Sequence, residues 1–324
     1  MYVVDRKKQA HDGGVWCCDW KACPPETINK NAIFKTEIFT IPDEPLQEYI
    51  VTCGGDKFVK VWELHGDELE LKHNLEGHQS GVVSVAISNS GKLCVSRGLD
   101  CTLRIWDIEK GSQIAEAVVM PTDSWSVLFT QDDQHVISCS KAGIVTLYNA
   151  KTGKPERKFG KNTKGSYPYS MACSPDGKIV VTGSADGIIN AYDIHNGKHC
   201  GRVESHAKAI RSMCFTYDSQ NLLTSSEDQQ MRVYDVQTTG IDMVTTICGH
   251  DSYILSVSLS PNGKYFVSGS ADMTIKVWDF ELRTCLETFI EHTHPVWCVK
   301  FAPDGNKIIS VSEDNSIKIY YFPS

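Results

Sequence analysis

The chain has 324 residues, 41% of them hydrophobic, with 40 acidic against 32 basic side chains and a net charge of −8. The bases are scattered singly, which disfavours direct nucleic-acid binding, and no run approaches the roughly 18 apolar residues of a membrane span. Thirteen cysteines, no two of them spaced as in a zinc knuckle or a redox motif, read as small core residues in a reducing compartment, and no metal or other cofactor is expected.

In chain order, Tyr2-Val3-Val4 comes first, a short strand without the long apolar core of a signal peptide. The chain's last apolar segment, Tyr320 to Phe322, leaves its sheet one strand short, so residues 1–8 are expected to complete it from the other end. His11 and Trp62 stand 51 residues apart, where later repeats have 28. The extra 23 residues fall at about 21–45, an insertion carrying Pro24, Pro25, Pro42 and Pro45 with Ile33, Phe34, Ile38 and Phe39, read as a surface loop packed locally as a hairpin.

From Trp62 onward an aromatic residue ends a short apolar strand every 42 or 44 residues: Trp62, Trp106, Tyr148, Tyr192, Tyr234, Trp278 and Tyr320. One and three residues before each comes an apolar side chain, from Val59 and Val61 to Ile317 and Ile319, the period-two alternation of a half-buried strand. Ten residues ahead stands a hydroxyl: Thr52, Ser96, Ser138, Thr182, Thr224, Ser268 and Ser310. Six ahead stands Asp56, Asp100, Asp186, Asp228, Asp272 or Asp314, with Ala142 as the exception. His78, His206, His250 and His292 lie 28 ahead, and His11 takes this role in the first repeat. Met120 and Lys164 replace His in the repeats ending at Tyr148 and Tyr192, so the third and fourth repeats are expected to be the least rigid sector.

A repeat of this length with four strand-like segments, a Gly-His near its start and a Trp-Asp near its end is the pattern of a propeller blade. The fold class expected is all-β, one seven-bladed β-propeller spanning residues 1–324 and closed by the N-terminal strand. Trp106-Asp107, Trp278-Asp279, Gly77-His78 and Gly249-His250 resemble the WD-repeat family. The resemblance implies that His, hydroxyl, Asp and aromatic form one structural hydrogen-bonded network per blade. A His beside a Ser and an Asp mimics a hydrolase triad, but an enzyme needs only one, and here the trio recurs; the chain is read as no enzyme.

Function is sought where the repeats differ. Five positions after the His register come Trp16, Val83, Trp125, Tyr169, Arg211, Leu255 and Trp297, ringing the channel mouth, with the acids Glu227 and Glu313 just before the turn Asp. Aromatic faces beside carboxylates hold an arginine by stacking, cation–π attraction and charge-assisted hydrogen bonds. A peptide with one Arg and one apolar side chain is the ligand expected; the competing reading is that these aromatics only plug the mouth.

Leu75 to Gln79 followed by Gly81 to Val85, Asp186 to Asn190, Ile210 to Ser212, Asp218 to Gln220, Tyr234 to Gln237 and Lys307 to Val311 resemble the WD-repeat subunit family of the superkiller (Ski) complex. That resemblance implies a scaffold, monomeric outside its complex, that binds a tetratricopeptide-repeat Ski subunit and an RNA helicase in exosome-mediated 3′–5′ mRNA decay. It also implies membership of the nuclear PAF complex in transcription elongation and histone modification, and so a place in cytoplasm and nucleus. The alternatives are a substrate receptor of a cullin-type ubiquitin ligase and a histone-tail reader. Glu109 and Glu281 stand where the ligase receptors carry Arg after Trp-Asp.

Overall fold

A computed structural model describes residues 2–7, 9–23, 47–66, 68–119, 123–160 and 167–322. Over these the chain is all-β, with 28 strands, numbered β1 to β28 in chain order, in seven four-stranded sheets. In the first blade β2 (Val15–Cys23), β3 (Gln47–Gly54), β4 (Val59–His65) and β5 (Glu68–Leu75) pair in sequence order. The last blade is built from both ends of the chain: β26 (Val296–Phe301), β27 (Lys307–Ser312) and β28 (Ile317–Tyr321) are joined by β1 (Tyr2–Lys7), antiparallel to β28.

The first strands of the blades are β2, β6 (Val82–Ile87), β10 (Asp123–Phe129), β14 (Pro168–Cys173), β18 (Ile210–Phe215), β22 (Ile254–Leu259) and β26. Each packs on the next and β26 returns to β2, so seven sheets close a propeller around a central channel. Among the described residues no helix is long and apolar enough to cross a membrane.

Both faces of a blade are covered by its neighbours, so the core lies between blades. Ile309, Ile317 and Ile319 of blade seven pack with Trp20, Ile50 and Trp62 of blade one. Leu223, Met231 and Val233 of blade five pack with Phe266 and Trp278 of blade six. All fourteen apolar positions flanking the seven aromatics are buried. The insertion expected at 21–45 falls, from residue 24 on, outside the described residues; Lys21 to Cys23 belong to β2, and Cys23 pairs with Gln47 on β3. Met120 and Lys164 also lie outside the described residues.

The polar register assembles into networks. In blade two Trp106 Nε1 donates to Ser96 Oγ at 2.8 Å, Ser96 Oγ lies 2.8 Å from His78 Nε2, and His78 Nδ1 lies 3.0 Å from Asp100. Indole N–H can only donate, so the Ser96 proton is free to reach Nε2, which leaves Nδ1–H to donate to the carboxylate. The same chain runs Trp62–Thr52–His11–Asp56 and Trp278–Ser268–His250–Asp272. His206 and His292 make the corresponding bonds to Thr224 with Asp228 and to Ser310 with Asp314.

Each Asp also shapes the turn after it. The residue one beyond the register holds positive φ in every blade: Lys57, Cys101, Gly143, Gly187, Gln229, Met273 and Asn315. In the five blades that carry both His and Asp the amide one residue further donates to the carboxylate, as Thr102 does to Asp100 at 3.0 Å and Gln230 to Asp228 at 3.0 Å, whereas in blade four the Ile188 amide donates to Ser184 Oγ at 3.2 Å. Blade three lacks that carboxylate at Ala142 and carries Gly143 at the left-handed position, which needs no such support.

These networks set an acid limit on stability. Burial would raise the Asp228 carboxyl, but its hydrogen bond and attraction to His206, with the Ala207 and Gln230 amides, hold it down at about 2. The same opposition of burial and hydrogen bonding holds Asp56, Asp100, Asp272 and Asp314 below the usual carboxylate range. Burial also pushes His78 and His292 below the ordinary imidazole range, against the pull of their aspartates. In both cases the unfolded chain takes up protons first, so acid favours unfolding. The melting temperature is expected to decline as pH falls below about 6.5, through the two histidines, and more steeply below about 4, as the aspartates protonate. Calorimetry showing a flat melting temperature from neutral pH down to the acid limit would contradict this.

Candidate partner-binding site

Each first strand carries a β-bulge near its start. The register slips between Val15 and Cys17, Val82 and Ser84, Pro168 and Ser170, Ile210 and Ser212, Ile254 and Ser256, and Val296 and Cys298, and in blade three between Asp123 and Val127. The residues inside the slips are Trp16, Val83, Tyr169, Arg211, Leu255 and Trp297, with Trp125 inside that of blade three. A bulge re-aims a side chain out of the alternating pattern. All seven line one cavity of about 540 Å³ in the channel mouth, and Glu313 lines it with them.

Glu227 does not line the cavity. It stands behind Arg211, whose Nε donates to Glu227 Oε1 at 2.6 Å. The Arg211 guanidinium lies over the Tyr169 ring, 4.6 Å from its centroid, and Trp125 meets Tyr169 edge-on at 6.4 Å. Across the mouth, Trp16 and Trp297 donate through Nε1 to the same Glu313 oxygen, at 3.2 and 2.7 Å. A Cβ on Gly81 would stand 2.8 Å from the Trp16 ring, and one on Gly14, which has φ +55°, would stand 2.6 Å from that Glu313 oxygen. Glycine at these two places makes room for the indole and its acid.

The two acids therefore differ. Glu227 is committed to the protein's own arginine, whereas Glu313 is exposed and flanked by two indoles that both use Oε2, leaving Oε1 for an incoming donor. Trp125 is 49% exposed beside them, and Leu255 and Val83 supply apolar wall. The mouth combines a carboxylate between aromatic faces with an apolar wall, which suits a cationic side chain next to an apolar one.

The residue after each of these seven mouth residues was not singled out from the sequence. It is Ser84, Ser126, Ser170, Ser212 and Ser256 in five blades and Cys17 and Cys298 in two. These side chains clamp neighbouring blades: Val127 N donates to Ser84 Oγ at 3.2 Å, Ser170 Oγ donates to the Ile210 carbonyl at 2.9 Å, and Val299 N donates to Ser256 Oγ at 3.1 Å. The recurrence of a small hydroxyl or thiol was the available signal, hidden because polar residues inside a strand read as exposed. Asp19 and Lys300 line the same cavity deeper down, 3.8 Å apart. No group of three or more His, Cys, Asp or Glu among the described residues could hold a metal ion. Ser96, Ser268 and Ser310, the hydroxyls that mimic a hydrolase nucleophile, are fully buried, beyond the reach of a substrate.

The family model for the WD domain, G-beta repeat, matches residues 69–107, 153–193, 197–235, 242–279 and 283–320, more than half of the chain. The chain belongs to the WD-repeat family. The unmatched stretches contain the repeat with the insertion and the repeat that has Met120 and Ala142 in place of both His and Asp. Among WD-repeat relatives, the protein named WD repeat-containing protein SL1-17 from Schistosoma mansoni is 31% identical over 231 residues, covering 71% of this chain and 69% of that protein. Striatin-3 from Mus musculus is 23% identical over 282 residues, covering 76% of this chain and 34% of that protein. Striatin from Homo sapiens is 24% identical over 277 residues, covering 76% of this chain and 35% of that protein. The chain thus spans about a third of the striatins' length. WD-repeat propellers generally serve as non-catalytic platforms for protein partners, and this chain is read as such an interaction scaffold.

Proposed function

We propose that this propeller is a non-enzymatic scaffold that grips a partner's peptide at the channel mouth, with an arginine of the peptide on Glu313 between Trp16 and Trp297 and an apolar side chain against Leu255 and Trp125. The observation that carries this is the single cavity into which the bulge residues of all seven blades point. The finer reading is that the scaffold is the WD-repeat subunit of a Ski complex, holding a tetratricopeptide-repeat protein and an RNA helicase for exosome-mediated mRNA decay in the cytoplasm, with a second place in the nuclear PAF complex. The repeat segments that resemble that subunit, together with a mouth suited to a short arginine-bearing motif, support it.

Purification of the tagged full chain from native extract, followed by mass spectrometry, tests this reading. Co-purification of a helicase with a tetratricopeptide-repeat protein is the expected result. Recovery of a cullin adaptor or of histones in their place would replace the Ski reading with one of the alternatives.

A further inference from the structure

The clamp position is a hydroxyl in five blades and a thiol in two, and the two thiol blades are neighbours across the seam where the ring closes. Cys298 on β26 reaches across that seam, its Sγ 3.5 Å from the Cys18 carbonyl oxygen on β2. Cys17 Sγ lies 3.9 Å from the same oxygen and 3.7 Å from the carbonyl of Val85. The two sulfurs thus sit on one carbonyl, with the Ser256 hydroxyl donating to Cys298 Sγ at 3.8 Å. Both thiols line the open channel cavity. A serine in either place would serve the clamp, so the clamp by itself does not require sulfur.

We propose that Cys17 and Cys298 form a peroxide-reactive thiol pair that closes to an intramolecular disulfide across the seam between blades seven and one. The groups facing the pair assign the roles. Hydrogen bonds from the Cys17 and Cys18 thiols, opposed by burial and helped by the Lys300 ammonium, hold the Cys298 thiol well below its usual range. Hydrogen bonds to Cys298 and Cys53, with burial, push Cys17 up. Asp19 offsets part of the Lys300 charge from β2. Cys298 shares β26 and the cavity wall with Lys300, whose ammonium favours a thiolate there, so Cys298 is assigned as the attacking thiolate and Cys17 as the resolving thiol.

The Cys298 thiolate attacks one oxygen of hydrogen peroxide. The O–O bond breaks, the departing hydroxide takes up the proton that Cys298 released and becomes water, and Cys298 is left as a sulfenic acid. The Cys17 sulfur then attacks the Cys298 sulfur, its proton leaves with the displaced hydroxyl as a second water, and the S–S bond forms. Two electrons pass from the two sulfurs to the peroxide. Because Trp16 and Trp297 immediately precede the two cysteines, the cross-link would tie together the strands that carry the Glu313 indole pair. The thiol chemistry stands whether or not the mouth binds an arginine-bearing peptide.

The test uses the folded full chain and hydrogen peroxide, with remaining thiols alkylated before proteolysis and mass spectrometry. The expected result is a peptide joining Cys17 to Cys298, formed within a monomer on a non-reducing gel and ahead of any other cross-link. Cys17→Ser, a change to the residue five other blades carry, is expected to keep the fold, abolish the link and leave Cys298 as a sulfenic acid trapped by dimedone. Lys300→Met removes the cation that favours the Cys298 thiolate and is expected to slow formation of the link severalfold. A Cys298 linked to Cys18 and not to Cys17, or a Cys298 that stays a free thiol while exposed Cys248 and Cys285 oxidise, would overturn the proposal.

Discussion

Deletion of residues 1–8 is expected to lower the melting temperature by roughly 10 °C and to promote self-association. β1 pairs with β28 at five positions, Tyr2 with Tyr321, Val3 with Tyr320, Asp5 with Ile319, Arg6 with Lys318 and Lys7 with Ile317. At about 1 kcal/mol per net backbone hydrogen bond, the ladder is worth roughly 4–5 kcal/mol. A change of about 1 kcal/mol moves the melting point of a protein somewhat smaller than this one by about 2–4 °C, which sets the size of the shift. Removal also bares the edge of β28, an open template for another strand. The Ala10 amide bond to the Asn315 carbonyl at 2.8 Å and the Gly14 amide bond to the Asn315 side chain at 2.6 Å lie outside the deletion and still anchor blade one to blade seven. The deleted protein therefore folds but melts early; a melting temperature equal to the parent's would contradict this.

The second large effect is a contrast between two serines at one register. Ser96 Oγ is the hub of the blade-two network, and its loss in Ser96→Ala strands the buried Trp106 indole N–H and His78 Nε2. Leaving two buried polar groups unpaired costs about 2–4 kcal/mol. Ser138 occupies the same register in blade three, where Met120 and Ala142 replace His and Asp, and its Oγ is buried with no hydrogen-bond partner among the described residues. Ser138→Ala removes a desolvated hydroxyl and is expected to be neutral or stabilising by up to about 1 kcal/mol. Denaturant unfolding of the pair measures the difference; equal destabilisation by both changes would show that the hydroxyl acts through something other than the network.

Blade number was legible in the sequence because its register is repeated, closure by the N-terminal strand because the last repeat is one strand short, and the polar networks because the repeated residues resemble the WD-repeat pattern: Trp62, Trp106 and Trp278 share register and a hydroxyl partner. The mouth was legible for a related reason, since seven residues at one offset had to lie on one ring. The bulges that turn those residues into the cavity were not legible, because a slip in pairing leaves no mark on apolar alternation. The commitment of Glu227 to Arg211 was also hidden: both residues were picked out, but their offset within a strand pair fixes their contact only once the hairpin register is known. The serine and cysteine clamps escaped because their partners are backbone atoms of the neighbouring blade.

The central claim is that similar repeats build the ring while their differences at one position per blade make the function. Capture of native partners by the wild type and by the Trp125→Ala/Trp297→Ala double variant, matched for melting temperature, tests it most directly. Aromatic anchors buried on binding contribute about 2 kcal/mol or more each, so the folded double variant is predicted to lose on the order of a thousandfold in partner affinity. Undiminished capture by that folded variant would contradict the claim and leave the mouth aromatics as a plug of the channel.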